Sequence, residues 1–256
     1  MMKVLLLLTA LLSCLPSFGE TNSRRAVSRY QLGTSSVFAQ VSTSNAPEIS
    51  FIAAPDQELM KLNFALILYE ETGSAYQPTF GRSVVNQLVR TRTSTATPDW
   101  MELEVICEYN GESTAGIRNF LLDYSIFISK KWPIALLRIN TLNSTDQNGA
   151  RLEAYNWLFD LPAGAKQITS LPHGMKIVQN RYDNYIFSID GRSFFRQRGQ
   201  DGIEATVLPP QTFYLEPKEL WEGFGPYFCL VFQSEAAADQ EALQEMAESF
   251  AEKVGR

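Results

Sequence analysis

Arg192, Arg196 and Arg198 fall at even spacing in a chain that is acidic as a whole. In an extended segment every second side chain points the same way, so three guanidinium groups would share one surface. Asp190-Gly191, just before them, is a two-residue turn signal, because both residues tolerate positive φ. Such a turn sets Ile189 opposite Arg192, Phe187 opposite Phe194, Tyr185 opposite Arg196 and Asp183 opposite Arg198. The arginines then interleave with Phe187, Phe194 and Tyr185. That face suits an anion such as phosphate, a carboxylate or a sugar acid. The plainer reading is a solvated hairpin face, with Arg stems over aromatic rings and one Asp183–Arg198 pair.

A second cluster lies at residues 216–228, where Glu216, Glu219 and Glu222 mix with Trp221, Phe224, Tyr227 and Phe228. Aromatic platforms beside carboxylates hold sugars, and two carboxylates can cleave a glycosidic bond. The plainer reading is core packing by Trp and Phe. His173, the one histidine, sits in Leu171-Pro172-His173-Gly174, and no nucleophile is identified to go with it. Ser83 lacks the second glycine of a nucleophile elbow. One histidine and a few scattered thiols make no zinc pattern, so no metal and no cofactor is expected. Residues 144–149 have the flavour of a calcium loop but lack its closing acid, since Tyr155 stands at the twelfth place. Asn143-Ser144-Thr145 is a glycosylation sequon.

The clearest segment concerns address. Lys3 precedes an apolar run over residues 4–12, and Ser17-Phe18-Gly19 follows just before Glu20. This is the layout of a secretory signal peptide over residues 1–19, too short to span a bilayer. Cleavage after Gly19 is favoured by the small residues Ser17 and Gly19. An alternative cut before Cys14 arises because Leu11-Leu12-Ser13-Cys14 resembles a bacterial lipobox; Cys14 would then be lipidated and the protein anchored. The mature protein is expected to be periplasmic or extracellular, with no transmembrane span. It would keep Cys107 and Cys229, both buried by their surroundings, either as free thiols or as one disulfide.

The full chain has 256 residues, 45% hydrophobic content and a formal charge of −6, and residues 1–19 hold one Lys and no acid. This is the composition of a folded, acidic protein, which argues against nucleic acid as partner. A small anionic ligand or a protein partner fits better. An exported, non-enzymatic binding or envelope-associated protein is the expected class. An exported hydrolase working through Glu216–Glu222 is the alternative.

The elements that must position these groups read as α+β. A flexible arm is expected over 20–33, followed by one domain with a sub-boundary at the Ser/Thr-rich stretch 91–98. Short strands are expected at 35–41 and 49–54, and a stronger one at 61–69, where Leu62, Phe64, Leu66 and Leu68 alternate. Residues 83–89 suggest a short helix. Met101, Leu103, Val105 and Cys107 mark one face of a strand, with Glu102, Glu104 and Glu108 opposite. Apolar residues at three- and four-residue steps predict helices at about 114–131, 150–161 and 235–254, packed on largely antiparallel sheet. Strands separated by hairpin signals follow from Met175 onward.

Overall fold

A computed structural model describes residues 27–42, 48–72, 75–80, 83–113, 116–144, 150–164, 166–179, 182–189, 193–207, 213–215 and 220–234, together with Glu245, Glu248 and Ser249. Among these the chain forms β1 (Val27–Gln31), β2 (Val37–Ser42), β3 (Glu48–Ala53), β4 (Gln57–Thr72), β5 (Ala75–Phe80) and β6 (Ser83–Thr97). It continues with β7 (Trp100–Ser113), β8 (Gly116–Ser129), β9 (Ile134–Ser144), β10 (Ala150–Asp160), β11 (Lys166–Leu171) and β12 (Gly174–Gln179). The last are β13 (Tyr182–Ser188), β14 (Ser193–Arg198), β15 (Gly202–Val207), β16 (Phe213–Leu215) and β17 (Leu220–Ser234).

The strands form two antiparallel sheets. One has nine strands in the order β1-β2-β3-β4-β10-β15-β14, with β5 beside β4 and β16 beside β10. The other has eight, β11-β12-β13-β17-β9-β8-β7-β6. Alternation turns an apolar face of each sheet toward the other, and the two faces close on each other. Val37, Ala39 and Val41 of β2, Trp157 and Phe159 of β10, and Ile203, Ala205 and Val207 of β15 meet Leu122, Tyr124 and Ile126 of β8 and Phe228, Leu230 and Phe232 of β17 in one buried cluster. Aromatic rings bridge the sheets. Phe51 stacks on Phe232 at 4.8 Å, and Trp157 meets Tyr124 edge-on at 5.5 Å. The described residues therefore form an almost wholly β, two-sheet sandwich, not the expected α+β arrangement.

Two predicted helices are strands. Over 114–131 the chain is β8, paired with β7 and β9 along its length. Its inward residues Leu122, Tyr124, Ile126 and Ile128 follow a period of two. Its other face buries Phe127 in a second apolar cluster. A strand buried on both faces places apolar residues at three- and four-residue steps, which imitates a helix. Over 150–161 the chain is β10, held by β4 and β15. Trp157 and Phe159 point into the sandwich while Leu158 between them is only partly buried. The helix expected at 235–254 falls almost wholly outside the described residues; Glu245, Glu248 and Ser249 are helical. The short helix suggested at 83–89 and the boundary at 91–98 are both β6, an edge strand whose threonines suit extended backbone.

The arm expected over 20–33 is ordered from Val27 on. Residues 27–31 pair with β2, Leu32 is fully buried, and Gly33 N–H donates to the Ser129 carbonyl at 2.7 Å. Residues 20–26 and the whole leader lie outside the described residues. Among the described residues no helix is long and apolar enough to cross a membrane.

The expected hairpin across Asp190-Gly191 does not form. β13 pairs with β12 and β17 in the eight-stranded sheet, whereas β14 pairs with β15 in the nine-stranded one. Between Ile189 and Ser193 the chain passes from one sheet to the other. The later signal does close a hairpin: β14 and β15 join through Gly199, at φ +64°, with Arg196 opposite Glu204 and Arg198 opposite Gly202.

Candidate functional site

The outer face of the nine-stranded sheet gathers polar groups around β14. Phe194, Arg196 and Arg198 share that face by alternation, and Glu204 and Thr206 stand opposite them on β15. Arg196 donates from Nε to Glu204 Oε2 at 3.0 Å and from Nη2 to both carboxylate oxygens at 3.0 and 2.8 Å. Asn156 Nδ2 donates to the same carboxylate at 2.6 Å. The Glu204 side chain is 6% exposed, while that of Arg196 is 70% exposed. A buried carboxylate thus fixes a guanidinium that faces water, and Nη1 has no partner among the described residues. Phe194, on the same strand, is 64% exposed. Asn156 Oδ1 is buried without a partner.

Arg198 spans β15 to reach Asp160 on β10, which also accepts from Asn63. Gly202 lies directly between them, opposite Arg198 on one side and Asp160 on the other. A Cβ at Gly202 would stand 3.1 Å from Arg198 Nε, so the missing side chain gives the arginine its path. Both described arginines of the triad in the sequence therefore carry a carboxylate partner.

Tyr185 is not among them. It lies in the eight-stranded sheet, buried, stacked with Phe187 at 5.7 Å, with Lys176 Nζ 5.5 Å from its ring centroid. Asp183 pairs with Lys176 at 2.7 Å rather than with Arg198. Arg192 lies outside the described residues, as do Glu216 and Glu219. Trp221 and Glu222 are on β17, opposite Leu142 and Thr141 of β9. His173 is exposed in the β11–β12 turn, where its carbonyl accepts from Ser188 N–H at 3.0 Å.

Cys107 and Cys229 are free and buried, so the bridge considered from the sequence is absent. They belong to different apolar clusters, Cys107 between the sheets and Cys229 on the outer face of the eight-stranded sheet. Burial, with Asp123 nearby, pushes the Cys107 thiol up to about 12. Burial raises Cys229 further, with Glu248 adding to it. Cys14 lies outside the described residues. Among the described residues no three His, Cys, Asp or Glu side chains stand in a metal-holding group.

A polar network that the sequence did not reveal covers the outer face of β7, β8 and β9. Ser125 Oγ and Ser94 Oγ donate to the two oxygens of Glu102 at 2.7 and 2.9 Å. Asn140, the extra residue where the β8–β9 register shifts, donates to Asp123 at 3.0 Å and to Ser125 Oγ at 2.7 Å. Glu104 faces Arg92 at 3.6 Å and Arg90 at 3.9 Å. Burial, then Glu104 and Glu102, raises the Asp123 carboxyl against the opposing Asn140 hydrogen bond and Arg90 charge. Glu102 and Glu104 were legible as one face of a strand. Asp123 and Ser125 were hidden by the helix reading of 114–131.

No protein family matches the chain, and no curated protein does. Among solved structures it is similar to an α-mannosidase from Enterococcus faecalis V583, at a TM-score of 0.47 and 8% identity, covering 89% of this chain and 32% of that one. It is also similar to a protein of glycosyl hydrolase family 38 from Enterococcus faecalis, at a TM-score of 0.46 and 9% identity, covering 92% of this chain and 34% of that one. This chain spans about a third of the length of either, and a likeness this loose carries no functional argument.

Proposed function

We propose that this is an exported, non-enzymatic binding protein that holds a small acid-bearing ligand on the outer face of its nine-stranded sheet. The observation that supports it is the pair Arg196–Glu204: the carboxylate is 6% exposed and the guanidinium 70% exposed. An arginine already held in a forked pair has lost its rotamer freedom before any ligand arrives, which lowers the entropic cost of binding. Its Nη1 is positioned to donate to a ligand oxygen. The exposed ring of Phe194 offers an apolar platform on the same strand. A sugar acid combines a carboxylate for the first with a C–H face for the second. Export rests on the leader at residues 1–19, with lipid anchoring through Cys14 as its variant.

Thermal shift with phosphate, citrate and galacturonate tests the ligand class. Stabilisation by galacturonate that Arg196→Ala and Phe194→Ala each remove supports the reading. No shift with any of the three contradicts it. Mass spectrometry of the exported chain tests the address. A free N-terminal Glu20 supports the soluble form, an acylated Cys14 the anchored one, and an uncut leader contradicts export.

A further inference from the structure

The two sheets end beside each other. β14 is the edge of one and β11 the edge of the other, and a groove of about 470 Å³ opens where they meet. Its lining includes Gly164, Lys166, Ile168, Gln197, Gln200 and Asp201. We propose that this groove is a second binding site, independent of the outer face, and that it takes a neutral, polyhydroxylated ligand such as a short oligosaccharide.

Charge points to neutrality. The Lys166 side chain is 4% exposed and its ammonium forms an ion pair with Asp201, so the groove carries no net charge to attract either sign. Hydrogen-bonding capacity points to hydroxyls. Lys166 Nζ donates to the Pro162 carbonyl at 2.6 Å and to Asp201, two of the three bonds an ammonium can donate. Gln197 Nε2 donates to the Gly199 carbonyl at 2.9 Å, which fixes the amide and leaves its Oε1 as an acceptor. The exposed Gln200 adds a donor and an acceptor. Donors and acceptors set close together match a ligand whose every hydroxyl does both. Ile168, partly buried against the main core, supplies the apolar wall that a sugar ring needs.

The walls come from two turns as much as from strands. Gly164 stands at φ +137° with nothing within 4 Å of where a Cβ would be, and Gln200 and Asp201 belong to the β14–β15 turn. Leu161 N–H donates to the Asp201 carbonyl at 2.8 Å and ties the two turns together. A mouth made of turns, fixed in this way, suits a compact ligand better than an extended strand laid along a sheet edge.

Maltotriose and cellotriose are the probes, added singly to the full-length mature protein and followed by saturation-transfer NMR and calorimetry. The expected result is saturable binding of at least one. Gln197→Ala with Gln200→Ala should weaken it at least tenfold, and Ile168→Trp should abolish it by filling the groove. Both glutamines are exposed, so their variant stays folded and keeps the test valid if the Trp variant does not. Arg196→Ala should leave this binding unchanged, which separates it from the acid-binding reading. Saturable binding of neither trisaccharide, or binding that survives the double glutamine variant, overturns the proposal.

Discussion

Arg196 and Glu204 form a pair that serves the fold and, in the proposed function, recognition as well. Glu204 is buried and needs its charge answered, and the exposed guanidinium answers it with three contacts. Arg196→Ala leaves a buried carboxylate with Asn156 as its remaining strong donor, and should lower stability by about 1–3 kcal/mol in urea titration. Arg196→Lys should recover part of that loss but not the binding, because an ammonium cannot form the fork. At Cys107 and Cys229 burial sets the chemistry. Neither thiol ionises near neutral pH, so iodoacetamide at pH 8 should leave both unlabelled in the native protein and label both after unfolding, read by peptide mass spectrometry. Asp123 titrates in the opposite sense from a salt-bridged carboxylate. Its folded-state affinity for the proton is raised, so the folded state binds protons more readily than the unfolded one, and stability from this group falls as pH rises through the folded value. Asp123→Asn should therefore raise stability at pH 7, by less than about 1 kcal/mol for a half-exposed group. That advantage should shrink as pH falls toward the ordinary carboxylate value near about 4.

Elements were legible where one face was dry and the other wet. The strand read at 61–69 and the one marked by Met101, Leu103, Val105 and Cys107 lie within β4 and β7, because their apolar residues alternate in the sequence. Where both faces carry apolar residues the period of two disappears. Phe127 on the far side of β8 is enough to complete a helical pattern with Tyr124 and Ile128. The misplaced hairpin has another cause. A turn signal says nothing of which strands pair, and partner choice is settled by which sheet can bury Phe187 and Phe195. Phe187 joins the outer cluster of the eight-stranded sheet, and Phe195 packs on Phe228 at 6.0 Å across the main core. Two arginines of the candidate site were thus named from the sequence on a geometry the fold does not use. Glu204 stands across the β14–β15 hairpin that Gly199 and Gly202 do signal, whereas Asp160 comes from β10, which no local signal connects to β14. The β1–β2 turn offers a test at this scale. Gly33 sits at φ +57°, and a Cβ there would stand 2.5 Å from Trp132 N. Gly33→Ala should cost about 2–3 kcal/mol, from strained backbone and from pushing the turn off the β8–β9 corner.

At the scale of the whole molecule, the sandwich explains why the groups of both proposed sites concentrate at β14. An interior strand has neighbours on both sides, whereas an edge strand leaves one flank open. β14 lies at the edge of its sheet with its outer face carrying Phe194 and Arg196, and it borders the groove through Gln197. Gly174 shows how tightly the rest is packed: a Cβ there would fall 2.1 Å from the Ile186 carbonyl oxygen, so Gly174→Ala should destabilise the protein by about 2–3 kcal/mol without altering ligand binding in the folded fraction. The same sandwich gives the eight-stranded sheet a second buried cluster on its outer face, around Phe127, Leu136, Phe187 and Cys229. That double burial is what hid β8 behind a helical spacing in the sequence.

Calorimetric titration of the protein with galacturonate, run beside Arg196→Ala, Phe194→Ala and the control Arg29→Ala, tests the central claim most directly. Arg29 is a surface arginine on β1, at the opposite end of the sheet order from β14, and pairs with Asp56 of the β3–β4 turn. The account predicts saturable one-to-one binding that the first two variants abolish and the control retains. Absence of saturable binding, or binding unchanged by Arg196→Ala, would contradict it.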